Sequence, residues 1–145
     1  MSLFSALTTS ASGMAAQRTR AELLVENLAN AETTRSADGG PYRRKDAVFE
    51  SQEGTPSFAS MLDSAMGGGA AGVRVSEITV DERDPDLRYM PGHPDARSDG
   101  YVAFPRVNPA EEMVDLMGAS RGYQANVASM SAIKDMIQRS IDLLR

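Results

Sequence analysis

The chain has 145 residues, a net charge of −5 and 41% hydrophobic residues, which suits one modest domain. The acidic balance argues against nucleic-acid binding, since the only basic cluster, Arg43-Arg44-Lys45, is followed at once by Asp46. With no cysteine and a single histidine, His93, the chain can build neither a thiol nucleophile nor a histidine-rich metal site. We therefore predict no enzyme activity and no cofactor.

The N-terminal segment predicts a helix over residues 2–30. Leu7, Met14, Ala21 and Leu28 recur every seventh residue and form one apolar face. The first seventeen residues are uncharged, but they lack the basic start and compact apolar core of a secretory signal. No run is long and apolar enough for a membrane span, so we expect export without a cleavable signal and no membrane insertion. Turn formers at 36–41 predict the end of this unit, which we set at 1–34.

The middle segment, 35–107, lacks a helical period and predicts a small β-rich unit. Strands are expected at 42–49, 73–80 and 100–104, and a short helix at 58–66. A glycine-rich linker follows at 67–72, and its G-x-G-x-x-G spacing lacks the preceding strand that a dinucleotide site requires. The acidic tract at 81–86 is interpreted as a solvated loop.

The C-terminal segment predicts a long helix over 108–145. Its apolar ladder again has a seven-residue period, with a second row that includes Met113 and Val127. Gly118 and Gly122 interrupt it at a cost of about 1 kcal/mol each relative to alanine, so something must approach closely there. The predicted fold is mainly α, with the two terminal helices side by side in a coiled-coil-like arrangement around a small β-rich middle.

Both helical ends carry more apolar surface than one helix pair would bury. A helix with more than one apolar face needs further partners, so we favour self-assembly. A monomeric two-helix stalk remains an alternative, and so does a soluble, non-catalytic binding module that uses the acidic middle loops. A binding module would not need both termini to be uncharged and helical.

Two terminal motifs resemble the signatures of the bacterial flagellar rod and hook proteins. The first is Ser12-Gly13-Met14 with Asn27-Leu28-Ala29-Asn30-Ala31, and the second is Glu111-Glu112-Met113-Val114 with Tyr123-Gln124-Ala125-Asn126. In the middle, Gly40-Pro41-Tyr42-Arg43 and Tyr89-Met90-Pro91-Gly92-His93-Pro94 are similar to the proximal rod subunits of that family. The resemblance covers nearly the whole chain.

This resemblance implies a structural subunit that is exported by the flagellar export apparatus. It also implies assembly with copies of itself and with other rod proteins into a rod that crosses the periplasm, transmits motor torque and encloses an export channel. Tyr123 could equally pack against its own N-terminal helix, and Asn27 and Asn30 could serve only as helix-end residues. We predict an assembly interface of Leu7, Met14, Asn27, Leu28, Asn30, Met113, Leu116, Gly122, Tyr123, Gln124, Asn126, Met130, Ile137 and Leu144.

Overall fold

The computed structural model describes residues 3–37, 39–52 and 72–143. Outside these residues lie the predicted helix at 58–66 and the predicted linker at 67–72, apart from Gly72. Leu144 lies outside them as well. The described elements are α1 (Leu3–Ala29), β1 (Lys45–Gln52), β2 (Gly72–Val80), β3 (Asp86–Tyr89), β4 (Tyr101–Phe104) and α2 (Pro109–Asp142). The prediction of two long terminal helices and a small β-rich middle is confirmed, although roughly half of the chain, rather than most of it, is helical.

The start of α2 follows directly from its local sequence. Asn108 caps the helix, since its Oδ1 atom accepts a hydrogen bond from the backbone N–H of Ala110 at 3.1 Å. Pro109 at the first helical position has no N–H to satisfy. The negative charges of Glu111 and Glu112 in the first turn interact favourably with the positive end of the helix dipole.

The two helices pack against each other in antiparallel directions. Gly13 and Gln17 of α1 lie against Asn126 and Gly122 of α2, and Asn27 lies against the first turn of α2. Extending this register places Leu3 opposite the last third of α2. The final turns of α2 therefore project beyond the described part of α1.

The first hairpin lies along α1. β1 and β2 pair antiparallel from Lys45 opposite Val80 to Gln52 opposite Gly72, and the backbone N–H of Val73 donates to Ser12 Oγ of α1 at 3.0 Å. The strand predicted at 42–49 thus begins at Lys45 and continues to Gln52. A bulge at Val48/Phe49 shifts the register, and this keeps the apolar residues of β2 on one face: Val73, Val75, Ile78 and Val80.

The second hairpin contains a strand that the sequence analysis missed. β3 starts at Asp86, within the tract interpreted as a solvated loop, and pairs antiparallel with β4. Val102 and Phe104 of β4 are buried, and the guanidinium of Arg88 lies over the Phe104 ring at 4.7 Å. The strand forms because it pairs with a distant partner, and its local sequence carries no sign of that pairing.

The opposite face of this hairpin is aromatic and exposed. The rings of Tyr89 and Tyr101 meet edge to face, with centroids 5.4 Å apart. Gly100 precedes Tyr101 at φ +79°, where a side chain would also come within 2.8 Å of Tyr89 Cε2. The turn therefore requires glycine at this position. Within the described part of the chain, no helix is long and apolar enough to cross a membrane.

Candidate assembly surface and buried junction

A buried polar junction connects α1, α2 and the segment that leads into β1. At its centre is Asn27, whose side chain is fully buried. Its Nδ2 atom donates to the backbone carbonyl of Lys45 at 2.8 Å and to Glu112 Oε2 at 3.1 Å. Its Oδ1 atom accepts from the Tyr42 hydroxyl and from the backbone N–H of Lys45, both at 2.9 Å. One asparagine thus ties together three segments that are distant in the sequence.

Glu112 is the second buried member of the junction, with a side chain that is 2% exposed. Its other carboxylate oxygen accepts from Arg44 Nε at 2.5 Å, so the buried charge is paired. Burial, followed by the negative charges of Glu26 and Glu112, raises the pKa of Tyr42 to about 12, so its hydroxyl stays protonated and continues to donate to Asn27. The junction is therefore a closed set of paired polar groups.

Above the junction the helices approach each other through glycines. A side-chain carbon at Gly13 would lie 3.1 Å from the Asn126 amide, and one at Gly122 would lie 3.2 Å from Gln17 Cδ. Gly122 is therefore in close contact with Gln17 of the same chain, and any larger residue there would require Gln17 to shift. The buried Gln17 Oε1 atom has no hydrogen-bond partner among the residues that the structure describes, which makes this contact costly.

The predicted assembly residues separate into groups by exposure. Asn27 is buried in the junction, and Met113, Tyr123 and Gln124 are exposed on α2. Leu144 lies outside the described residues. The remaining residues are half-buried: Leu7, Met14, Leu28, Asn30, Leu116, Gly122, Asn126, Met130 and Ile137.

The row of α2 that is most buried against α1 differs from the predicted ladder. It runs through Glu112, Ala119, Asn126 and Ile133, also at seven-residue spacing, and the structure buries three of these four residues. Sequence reasoning missed this row because it begins with a glutamate and includes an amide. The signal that could have revealed it is the pairing of Glu112 with the only basic cluster in the chain.

One side of α2, beside the row that packs on α1, is small and apolar and is not covered by any of the described residues. Val114 and Met136 are 62% and 49% exposed, and a side chain at Gly118 would meet no atom within 4 Å. These residues share one helix face with Ala125 and Ala132, both exposed. Contacts within the described chain thus give no reason for a glycine at 118, in contrast to Gly122.

The acidic residues of the middle segment are largely paired locally. Asp81 holds the guanidinium of Arg83 through contacts of 2.6 to 3.0 Å, and this hydrogen bonding lowers the pKa of Asp81 to about 2. Asp86 pairs with Arg88 in the same way. Among the described residues, no group of three or more potential metal ligands comes together.

The described residues thus form the kind of architecture expected of a structural protein: a helical hairpin locked at one end, with a face of small residues that no described residue covers. The family model of the flagellar basal body rod FlgEFG protein C-terminal region matches residues 98–143. The chain is 43% identical over 150 residues to flagellar basal-body rod protein FlgC of Bacillus subtilis, with 99% of each chain covered.

Two further relatives match over the same extent. The FlgC protein of Borreliella burgdorferi is 38% identical over 154 residues, covering 100% of this chain and 99% of its own. That of Salmonella typhimurium is 36% identical over 143 residues, covering 99% and 98%. The chain belongs to the FlgC family of flagellar basal-body rod proteins, a family of structural subunits, and this confirms the resemblance drawn from its terminal motifs.

Proposed function

We propose that this chain is a subunit of the proximal rod, and that it assembles with copies of itself and with other rod proteins through the outer face of α2. The resulting helical drive shaft transmits motor torque and encloses the export channel. The single observation that carries the proposal is the uncovered face around Gly118. A helix-interior glycine costs about 1 kcal/mol, and close approach by another helix would offset that cost.

Further exposed apolar side chains lie on other sides of the two helices. Met113, Met117 and Val127 are 52%, 53% and 42% exposed on α2, and Phe4 is 74% exposed at the start of α1. The projecting end of α2 adds Ile141 at 55%. Apolar surface distributed along two helices is typical of a subunit that is buried on several sides.

The buried junction suits the mechanical part of this role. Because α1, α2 and the base of the first hairpin share hydrogen bonds to Asn27 and Glu112, a load on one helix is carried to the other two segments. A closed network of buried charges and amides also favours one packing arrangement over its alternatives. We infer that the subunit moves as a stiff unit at this end.

The packing of the N-terminal segment supports export without processing. Ser5 and Ser10, near the start of α1, are buried, so this segment is part of the folded subunit. We therefore propose that the chain passes through the flagellar export apparatus with its N-terminal segment retained. The alternative of a binding module that uses the acidic loops is disfavoured, since Asp81 and Asp86 already pair with neighbouring arginines.

Protection of single thiols in assembled rods tests the proposed surface. The chain contains no cysteine, so one introduced thiol reports on one position. Ala125→Cys should react with a maleimide in the free chain and become protected in rods, because Ala125 is exposed on the outer face. Ala119→Cys is the matched control on the inner face, and it should be protected in both states because Ala119 is buried. Equal reaction of Ala125→Cys in free chain and rods would refute the assignment.

A further inference from the structure

A basic cleft of about 800 Å³ opens beside the buried junction, where α1 ends. Its walls come from the segment between α1 and β1 and from the segment that follows β2. Six cationic side chains line it: Arg35, Arg43, Arg44, Lys45, Arg83 and Arg106. This concentration of positive charge stands out in a chain whose net charge is −5.

Most of these cations are already neutralised within the chain. Four have carboxylates at ion-pair distance: Arg35 with Asp95, Lys45 with Glu26, Arg83 with Asp81, and Arg44 with Glu112, Asp46 and Asp115. Arg43 differs, because its Nη1 atom donates to the backbone carbonyl of Asp81 at 3.2 Å rather than to a carboxylate. Arg106 is exposed and has no carboxylate at ion-pair distance among the described residues, although its charge contributes, after the hydrogen bonds of Arg83, to the lowered pKa of Asp81. Arg43 and Arg106 are thus the two surplus cations of the cleft, in the sense that no described carboxylate lies at ion-pair distance from either.

We propose that this cleft docks an acidic peptide segment of a neighbouring rod subunit, whose carboxylates pair with Arg43 and Arg106. The proposal rests on the assembly role above, since it assigns this surface to a subunit contact. Guanidinium groups bind carboxylates through paired, charge-assisted hydrogen bonds. Electrostatic complementarity of this kind fixes the register between subunits and excludes wrong partners.

The other lining residues favour a peptide over a phosphorylated ligand. Pro41, Val80 and Pro85 contribute apolar surface that would contact peptide side chains. Glu26 and Asp81 also line the cleft, but they pair with Lys45 and Arg83 and add no unpaired negative charge to it. Guanidinium groups beside apolar surface match a peptide that carries carboxylates, since the apolar side chains would contact the peptide as well.

Peptide binding to the purified full-length chain tests the cleft independently of rod assembly. The probe is a fluorescein-labelled hexapeptide of alternating glutamate and alanine, measured by anisotropy at low ionic strength. Its comparison peptide replaces each glutamate by glutamine. We expect saturable binding of the acidic peptide, and affinity about tenfold or more lower for the glutamine peptide, because only carboxylates form ion pairs with guanidinium groups.

Matched variants separate cleft binding from general charge attraction. Arg43→Gln with Arg106→Gln should reduce affinity about tenfold or more, since both surplus cations are removed. Arg121→Gln with Arg139→Gln changes net charge equally at exposed positions of α2 outside the cleft, and it should bind like the wild type. Equal losses in the two double variants would overturn the inference. So would equal binding of the two peptides.

Competition with orthophosphate tests whether the cleft prefers phosphate to the peptide. We expect millimolar orthophosphate to displace the peptide no more than sodium chloride of equal ionic strength does, because screening acts equally in both. Specific displacement by orthophosphate would make the cleft a phosphate site and overturn the peptide assignment. Failure of peptide binding in a chain that still assembles would overturn the cleft inference and leave the assembly role intact.

Discussion

Replacing Asn27 by alanine should be among the most destabilising single changes in this chain. The substitution removes four hydrogen bonds at a position with no solvent access. It also leaves Glu112 and the Lys45 carbonyl short of a donor, and Tyr42 short of an acceptor. At about 1 kcal/mol for each neutral bond and somewhat more for the bond to the ionised Glu112, the expected loss is roughly 4 kcal/mol.

Asn30→Ala is the matched control, because the same substitution is made one helical turn later. Asn30 is half-buried, and its Nδ2 and Oδ1 atoms bond locally to the Glu26 carbonyl and the Thr33 hydroxyl. Water can replace both partners, so the expected loss is below about 1 kcal/mol. The contrast separates a structural junction from a simple helix-end role for both asparagines.

Urea unfolding of the full-length chain, followed by circular dichroism, measures both changes. With a slope of about 2 kcal/mol per molar urea, Asn27→Ala should lower the midpoint by roughly 2 M and Asn30→Ala by less than about 0.5 M. Equal shifts in the two variants would refute the junction as the structural centre of the subunit. So would a shift below about 0.5 M for Asn27→Ala.

Three further outcomes are expected. Raising the pH from 10 toward 12 should destabilise the wild type more than the Tyr42→Phe variant, as measured by urea titration. Folding raises the pKa of Tyr42 from 10.0 to about 12, so its contribution to stability is complete below pH 10 and is lost as Tyr42 ionises. Equal losses in the two proteins would contradict this. Gly122→Leu should lower the free energy of unfolding by about 1 to 3 kcal/mol, measured by thermal unfolding, because the leucine side chain would collide with Gln17. An unchanged melting temperature would refute the close contact. Mass spectrometry of rod-derived protein should find the N-terminal segment intact apart from Met1, and loss of residues up to Ser10 would contradict export without processing.

The helices were predictable because their signals are local. The start of α2 is encoded in the Asn108-Pro109 cap and the acidic first turn, and α1 ends at Ala29, one residue before the predicted end. β2 was predictable from its alternating pattern. The end signatures also identified the family, which composition and periodicity alone did not.

Features that depend on distant partners could not be predicted in this way. β3 consists of two charged residues, a leucine and a tyrosine after a proline, and it becomes a strand only because Tyr101–Phe104 pairs with it. Glu112 has the local character of an exposed helix-start residue, and it is buried only because Arg44 and Asn27 reach it from other segments. The seven-residue period likewise predicts an apolar row but does not specify which neighbouring row faces the partner helix.

The most direct test is to measure whether the Gly118→Leu variant still assembles. This change adds a large side chain to the outer face of α2 where the described chain has no atom within 4 Å of the site. Stability of the free subunit should hold or rise by up to about 1 kcal/mol, since leucine favours helix. Gly92→Leu is the matched control, because Gly92 also has open space but lies in the turn after β3.

Sedimentation velocity of each purified variant mixed with partner rod proteins gives the answer. Gly118→Leu should remain folded by circular dichroism yet fail to form the large assemblies that the wild type forms with its partners. Gly92→Leu should assemble like the wild type. Assembly of Gly118→Leu to the same size and at the same concentration as the wild type would contradict the claim that this face of α2 joins subunits.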